Sequence, residues 1–278
     1  MLLENSTGFA KRLQFIKEVI EHSKPKLVLD FGCGTGNNVT VPLADYFPDV
    51  KFTGVDSDVT SIEFARNNNT RSNLTFAYPK DIETYHEFDL IIASEVIEHV
   101  EEPEELLLFL EEKLVDGGQI ILTLPNGYGP SEFMSLVASL LHLSGIYVIL
   151  RQLKRTLSGS STSLNSKSAD TLAISPHINF FSYNEIKSLI GKAGFKLLEY
   201  RPRTWLCGFG FNQILHGQFI LSLNAKLADY LPPYFISGWM FLLKKEECRQ
   251  LVRYQYKRNY YARLRKYLNE KRWGLTKR

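Results

Sequence analysis

The stretch Leu27-Val28-Leu29-Asp30-Phe31-Gly32-Cys33-Gly34-Thr35-Gly36-Asn37-Asn38 limits what this chain can fold into more than any other. Three aliphatic residues, an Asp and then Gly at every second position read as a buried strand running into a turn. Asn37 or Asn38 offers an N-cap for a helix reaching Tyr46. Without Cβ atoms at Gly32, Gly34 and Gly36, backbone N–H groups approach a ligand closely. Strand–turn–helix units of this kind bind nucleotides at the C-terminal edge of a parallel sheet. The dinucleotide spacing G-x-G-x-x-G is absent, because Asn37 or Val39 stands where its third Gly belongs. What is present is D-x-G-x-G-x-G.

Length and composition set the frame for that unit. A chain of 278 residues holds one large α/β domain, alone or with an appendage. Cys33, Cys207 and Cys248 are far apart and odd in number, which argues for a reducing compartment. With Glu4 near the start and no apolar run of signal-peptide length, a cytoplasmic location is expected. Charge is uneven: 13 Lys/Arg against 3 Glu fall in 244–278, and 20 basic against 27 acidic residues elsewhere. Such a tail bears on partners rather than on fold.

The spacing of apolar residues predicts the remaining elements. Phe9, Leu13, Ile16 and Ile20 mark a first helix, capped by Ser6 or Thr7 and ended by Pro25. Phe52 to Asp56 reads as a second strand, and Asp56 lies 20 residues beyond Gly36, where a carboxylate suits a ribose diol. A short helix over Ser61–Asn67 and strands over Leu74–Tyr78 and Phe88–Ala93 follow, with Asp89 capping a strand. Then come a helix over Pro103–Leu114 and a strand over Gln119–Leu124. Strand alternating with helix five times implies a doubly wound sheet. Phe133–Leu150 is uncharged and mostly apolar, suiting a lid or an interfacial helix better than a span. Ser158–Asp170 reads as a mobile segment. Tyr183–Ala193 reads as a helix, Phe195–Tyr200 and Ile236–Leu243 as an antiparallel pair, and Arg249–Trp273 as a basic amphipathic helix. Trp205–Pro233 has no clear assignment. Tyr128 lies in a Gly-Tyr-Gly turn, either structural or at the cofactor mouth.

Together, Leu27–Gly36, Asp56, Asp81, Phe88–Val100, the Gly117-Gly118 turn and Pro176–Phe195 resemble the class I methyltransferases that use S-adenosylmethionine. The resemblance implies a Rossmann-like α/β fold with a doubly wound seven-stranded sheet over residues 1–245. It makes 127–176 a helical insertion or lid, and 246–278 a basic C-terminal helical tail. It also implies that Asp30, Gly32, Gly34, Gly36, Asp56, Asp81, Ile82 and Ser94 contact the cofactor, with Asp81-Ile82 on the adenine.

The run Ser94-Glu95-Val96-Ile97-Glu98-His99-Val100 follows the fourth strand. In a helical turn, Glu95, Glu98 and His99 would share one face, at i, i+3 and i+4. Together with His177, this E-x-x-E-H resembles magnesium-dependent O-methyltransferases of ubiquinone biosynthesis and enzymes that methylate the 2′-hydroxyl of small-RNA 3′ ends. Carried over, Glu95, Glu98, His99 and His177 would hold Mg²⁺. A metal-free site with His99 or His177 as general base, and Glu95 beside them, stands as the other reading. The acceptor expected is apolar, quinone-like, a lipid or a lipid-linked sugar. Peripheral contact with the inner membrane face would run through 133–150 or the basic tail. RNA is the alternative acceptor, which the tail suggests. An NAD-binding or catalytically inactive Rossmann module is the alternative of another class.

Overall fold

The computed structural model describes residues 6–82, 87–146, 176–208, 211, 217–246 and 254–275. Helix α1 (Ser6–Ser23) buries Phe15, Ile16, Val19 and Ile20 on one stripe. Strand β1 (Leu27–Phe31) then leads into the Gly turn and α2 (Thr40–Tyr46). The expected Asn cap of α2 is replaced: Val39 holds the N-cap position with no side-chain bond. β2 (Lys51–Val55) and α3 (Val59–Asn68) follow, and Asp58 caps α3 by accepting from Ser61 N. β3 (Leu74–Ala77) runs into a 3₁₀ turn over Pro79–Ile82.

β4 (Phe88–Ser94) is almost wholly buried, as its unbroken apolar run requires. Asp89 Oδ2 accepts from Lys26 N and Leu27 N, which caps the start of β1 as expected. α4 (Pro103–Lys113) is followed directly by β5 (Leu114–Pro125), a strand six residues longer than the expected Gln119–Leu124. α5 (Pro130–Leu143) begins before Phe133 and is C-capped by Ser144, and residues 147–150 of the expected Phe133–Leu150 stretch lie outside the described residues. The Ser-rich stretch Ser158–Asp170 lies outside the described residues.

α6 (Tyr183–Lys192) opens on a capping box between Ser182 and Glu185, and β6 (Phe195–Pro202) follows. The unassigned Trp205–Pro233 stretch contains α7 (Gln218–Ala228). β7 (Gly238–Lys245) precedes α8 (Tyr260–Arg272), half the length of the helix expected over Arg249–Trp273. Residues 254–259 have no regular structure, and the start of the expected helix lies outside the described residues.

The seven strands form one sheet in the order β3-β2-β1-β4-β5-β7-β6. β1 to β5 are parallel, and β7 is antiparallel to both its neighbours. Order reverses beside β1, so the ends of β1 and β4 frame the crevice in which such sheets take ligands. One face packs on α1 and α2 through Phe15, Ile16, Leu43, Ile92 and Met240. The other packs on α4 and α6 through Ile91, Leu107, Leu110, Ile186 and Phe241. No described helix is long and apolar enough to cross a membrane.

Candidate active site

The Gly turn is a cradle closed by its own backbone. Gly32, Gly34 and Gly36 take φ of 80°, 54° and 75°, a region that penalises side chains. Gly32 N and Cys33 N donate to Val55 O at 2.7 and 3.0 Å, folding the turn onto the end of β2. A Cβ on Gly32 would meet Val96 Cγ2 at 2.4 Å, and one on Gly36 the Phe76 ring at 2.6 Å. Asp56 is buried beside the turn; Oδ2 accepts from Gly34 N at 2.8 Å and Oδ1 from Asp58 N at 2.9 Å. Each oxygen keeps a second lone-pair direction, so a ribose diol fits there.

Beyond Asp56 lies an open depression of about 450 Å³, lined by Ser57, Val59, Tyr78, Pro79 and Lys80. Asp81 and Ile82, the expected adenine contacts, adjoin this depression: the Ile82 side chain is core, and Asp81 Oδ2 accepts from Tyr78 N at 2.9 Å. Asp30 is buried, and Thr40 Oγ1 donates to it at 2.6 Å. Burial pushes its carboxyl up to about 6, against that bond and the charge of Arg12. Ser94 Oγ lies 3.0 Å from Thr123 Oγ1 at the ends of β4 and β5.

After β4 the turn forms one residue late, with His99 N donating to Val96 O at 2.9 Å, and leaves Glu95 outside it. Glu95 sits at φ 60°, which takes its side chain off the face carrying Glu98 and His99. Its carboxylate lies 2.8 Å from Arg203 Nη1 and 3.7 Å from Arg12 Nη1, and accepts from Thr123 Oγ1 at 3.0 Å. Burial raises its pKa, but the two guanidiniums and these hydrogen bonds outweigh that and hold it at about 2. Glu95 is therefore held by Arg203 and Arg12, apart from the other three residues of the expected metal set.

Glu98, His99 and His177 do converge. Each offers one ligand atom within 4.8 Å of the others, and the two rings meet edge to face at 4.9 Å. Neither Glu98 carboxylate oxygen has a hydrogen-bond partner among the described residues. Burial first, and then Glu95, push Glu98 up to about 8. His99 Nδ1 lies 3.2 Å from the Pro176 carbonyl, to which it donates, leaving Nε2 as the open nitrogen. Burial and the neighbouring His177 drop His99 to about 4. For His177 burial works downward too, but the Glu132 carboxylate, 2.7 Å from Nδ1, overrides it and raises the ring to about 9.

A match to a model of the methyltransferase domain covers residues 6–200. The chain belongs to the methyltransferase domain family. Its seven-stranded sheet has the Rossmann-like α/β fold of the class I methyltransferases. A ubiquinone biosynthesis O-methyltransferase of Rickettsia bellii is 27% identical over 133 residues, 46% of this chain and 55% of that protein. One from Coxiella burnetii is 32% identical over 120 residues, 41% of this chain and 50% of that protein. The chain thus spans about half the length of the curated relatives it matches. The structure of PKMT2 from Rickettsia typhi in complex with AdoHcy shares the fold, with a TM-score of 0.53 at 18% identity. That likeness covers 83% of this chain and 51% of that one.

For this methyltransferase the residues fit the cofactor, given the glycine cradle and buried Asp56. For Mg²⁺ they fall short of the expected set: Glu95 is held by Arg203, and Glu98, His99 and His177 leave one carboxylate and two imidazoles, a poor match to an ion that prefers oxygen. Three residues escaped the sequence reading. Glu132 on α5, Arg203 past β6 and Arg265 on α8 are each buried and charged. Of the two readings of Tyr128, its contacts are structural: its hydroxyl accepts from Asn259 Nδ2 at 2.6 Å and its ring stacks on Tyr261 at 4.7 Å. An isolated charge in an apolar helix, such as Glu132 in Pro130–Leu143, was the one available signal.

Proposed function

We propose that this methyltransferase methylates a hydroxyl oxygen on an apolar, aromatic or lipid-like acceptor, without Mg²⁺. The observation that carries the reading is the His99–His177 pair beside buried Glu98, one turn from the cradle through Val96. When bound, S-adenosylmethionine supplies an electrophilic methyl group; the chain's own residues supply the rest. Gly32, Gly34 and Gly36 admit the amino-acid end, Asp56 takes the ribose hydroxyls, and the depression at Tyr78–Lys80 takes the base. His99 stays neutral at neutral pH and presents Nε2 as proton acceptor. His177 stays cationic there, and a cation beside the acceptor oxygen favours its ionised form. Between them they replace the metal that would otherwise acidify the hydroxyl.

Exposed apolar surface supports the acceptor class: Phe133 on α5 and Phe219, Ile220, Leu223 and Leu227 on α7 face outward. Against RNA, three of the tail's cations are used internally: Arg258 and Lys266 pair with Glu101, and Arg265 with Glu132. The names of the curated relatives point the same way. Transfer of labelled methyl from S-adenosylmethionine to an alkyl catechol, with a short RNA alongside, tests this; labelling of the RNA alone would sink it. A second reading rests on the unpartnered Glu98: with His99 and His177 it makes an N,N,O donor set suited to a borderline ion such as Zn²⁺ or Mn²⁺. Activity that survives EDTA favours the metal-free reading, and loss restored by Mn²⁺ but not Mg²⁺ favours the ion.

A further inference from the structure

The family match ends at residue 200, yet the chain returns to the site between Tyr254 and Arg272. There α8 lies against α5, the helix that carries Glu132. Arg265 on α8 is fully buried. Its Nη2 donates to Glu132 Oε2 at 2.7 Å and its Nη1 to the Tyr261 hydroxyl at 2.9 Å, while the guanidinium lies 4.5 Å from the Phe180 ring centre. The other Glu132 oxygen, Oε1, accepts the Nδ1 hydrogen of His177 at 2.7 Å. One turn further along, Asn269 Nδ2 donates to the His177 carbonyl at 3.0 Å. The same helix therefore holds both the backbone and the ring of His177.

We infer that Arg265 is a positioning residue that sets the ring of His177 through Glu132. A carboxylate on a flexible side chain does not by itself fix an imidazole, since its torsions rotate freely. A planar guanidinium held by a hydroxyl, a carboxylate and an aromatic face removes that freedom. With Nδ1–H tied to Glu132, the opposite edge of the ring is turned toward His99 and Glu98, where the acceptor oxygen is proposed to sit. Partners of this kind orient imidazoles in metal and metal-free sites alike. The inference rests on the imidazole pair being the reactive end of the site. It goes further in giving the C-terminal segment a part in the chemistry. A plain anchor for α8 would need the ion pair but would leave the imidazole indifferent to it.

The test uses the full chain labelled with ¹⁵N-histidine. In the wild type, the His177 Nδ1 proton gives a downfield resonance, assigned by its loss in His177→Gln. Arg265→Met removes the guanidinium and leaves Glu132 in place, still paired with His177. In that variant the resonance is expected to move upfield. Turnover on the alkyl catechol falls by about 10- to 100-fold, while S-adenosylhomocysteine affinity stays within about twofold of wild type. Arg265→Lys, which keeps the charge and loses the fork, should recover part of the turnover. An unshifted resonance in the folded Arg265→Met variant would overturn the inference, as would equal losses of cofactor affinity and turnover. Should the wild type not methylate the catechol, the acceptor reading fails, and the resonance still decides the role of Arg265.

Discussion

Glu95 holds a backbone conformation that costs a residue with a side chain about 1 kcal/mol or more. What offsets it is the placement of one carboxylate between Arg203, Arg12 and Thr123. Glu98, three residues on, lies in the same cleft with no such partner and is driven toward its neutral form. Environment, not residue type, separates the two acids. Asp30 gives the cleanest pH signature. Its folded pKa of about 6 lies above the ordinary 3.8, so the folded state binds the proton more tightly than the unfolded one. Its contribution to stability is complete below about pH 3.8 and is lost as pH rises through about 6. Asp30→Asn, whose amide oxygen still accepts from Thr40, should gain up to about 3 kcal/mol on wild type between pH 4 and pH 7. Chemical denaturation at the two pH values measures this, and parallel curves would refute it. Asp56→Ala frees two backbone N–H groups and removes the ribose acceptor. It should weaken S-adenosylhomocysteine by about 1–3 kcal/mol in calorimetry.

Among the elements, the antiparallel β7 fixes where Arg203 lies. Its Gly238 leaves room for the Arg203 guanidinium, which a Cβ there would meet at 2.4 Å. Thr204 and Ser237 tie the two flanking loops together through hydroxyls 2.8 Å apart. The sheet's edge thereby delivers Arg203 to Glu95. The C-terminal segment is the other element that decides the site. Asn259 caps α8 by accepting from Ala262 N, and its amide also donates to Tyr128 and Glu185. Asn259→Ala should cost about 1–2 kcal/mol, as lost caps do. Because the same residue hooks α8 to the body, the variant should also open the segment. Hydrogen exchange at residues 260–272 reads that directly, and unchanged protection there would show that α8 is held without its cap.

At the scale of the whole molecule, cofactor and fold are linked. A ligand that binds only the folded state at about 100 times its dissociation constant adds about 2.7 kcal/mol of stability. S-adenosylhomocysteine should therefore raise the melting temperature of this chain, and NAD should not; the reverse would return the glycine turn to the dinucleotide class. The sequence by itself determined the sheet. Its information is local: an apolar run, Gly at every second position, and an Asp 20 residues on. Each fixes backbone geometry through residues close in the chain, and parallel strands then have few ways to pair. It also determined that Glu98, His99 and His177 would meet, through a motif rather than through periodicity. What only the tertiary structure decided is the charge state of that site. Glu132 lies 45 residues before His177, and Arg265 lies 133 beyond Glu132, so no periodic pattern links them. Glu95 turned to Arg203 because one residue left the helical φ, and in a buried cleft a carboxylate goes where a guanidinium can neutralise it. Pairings of that kind are settled by burial, and burial exists only once the chain has folded.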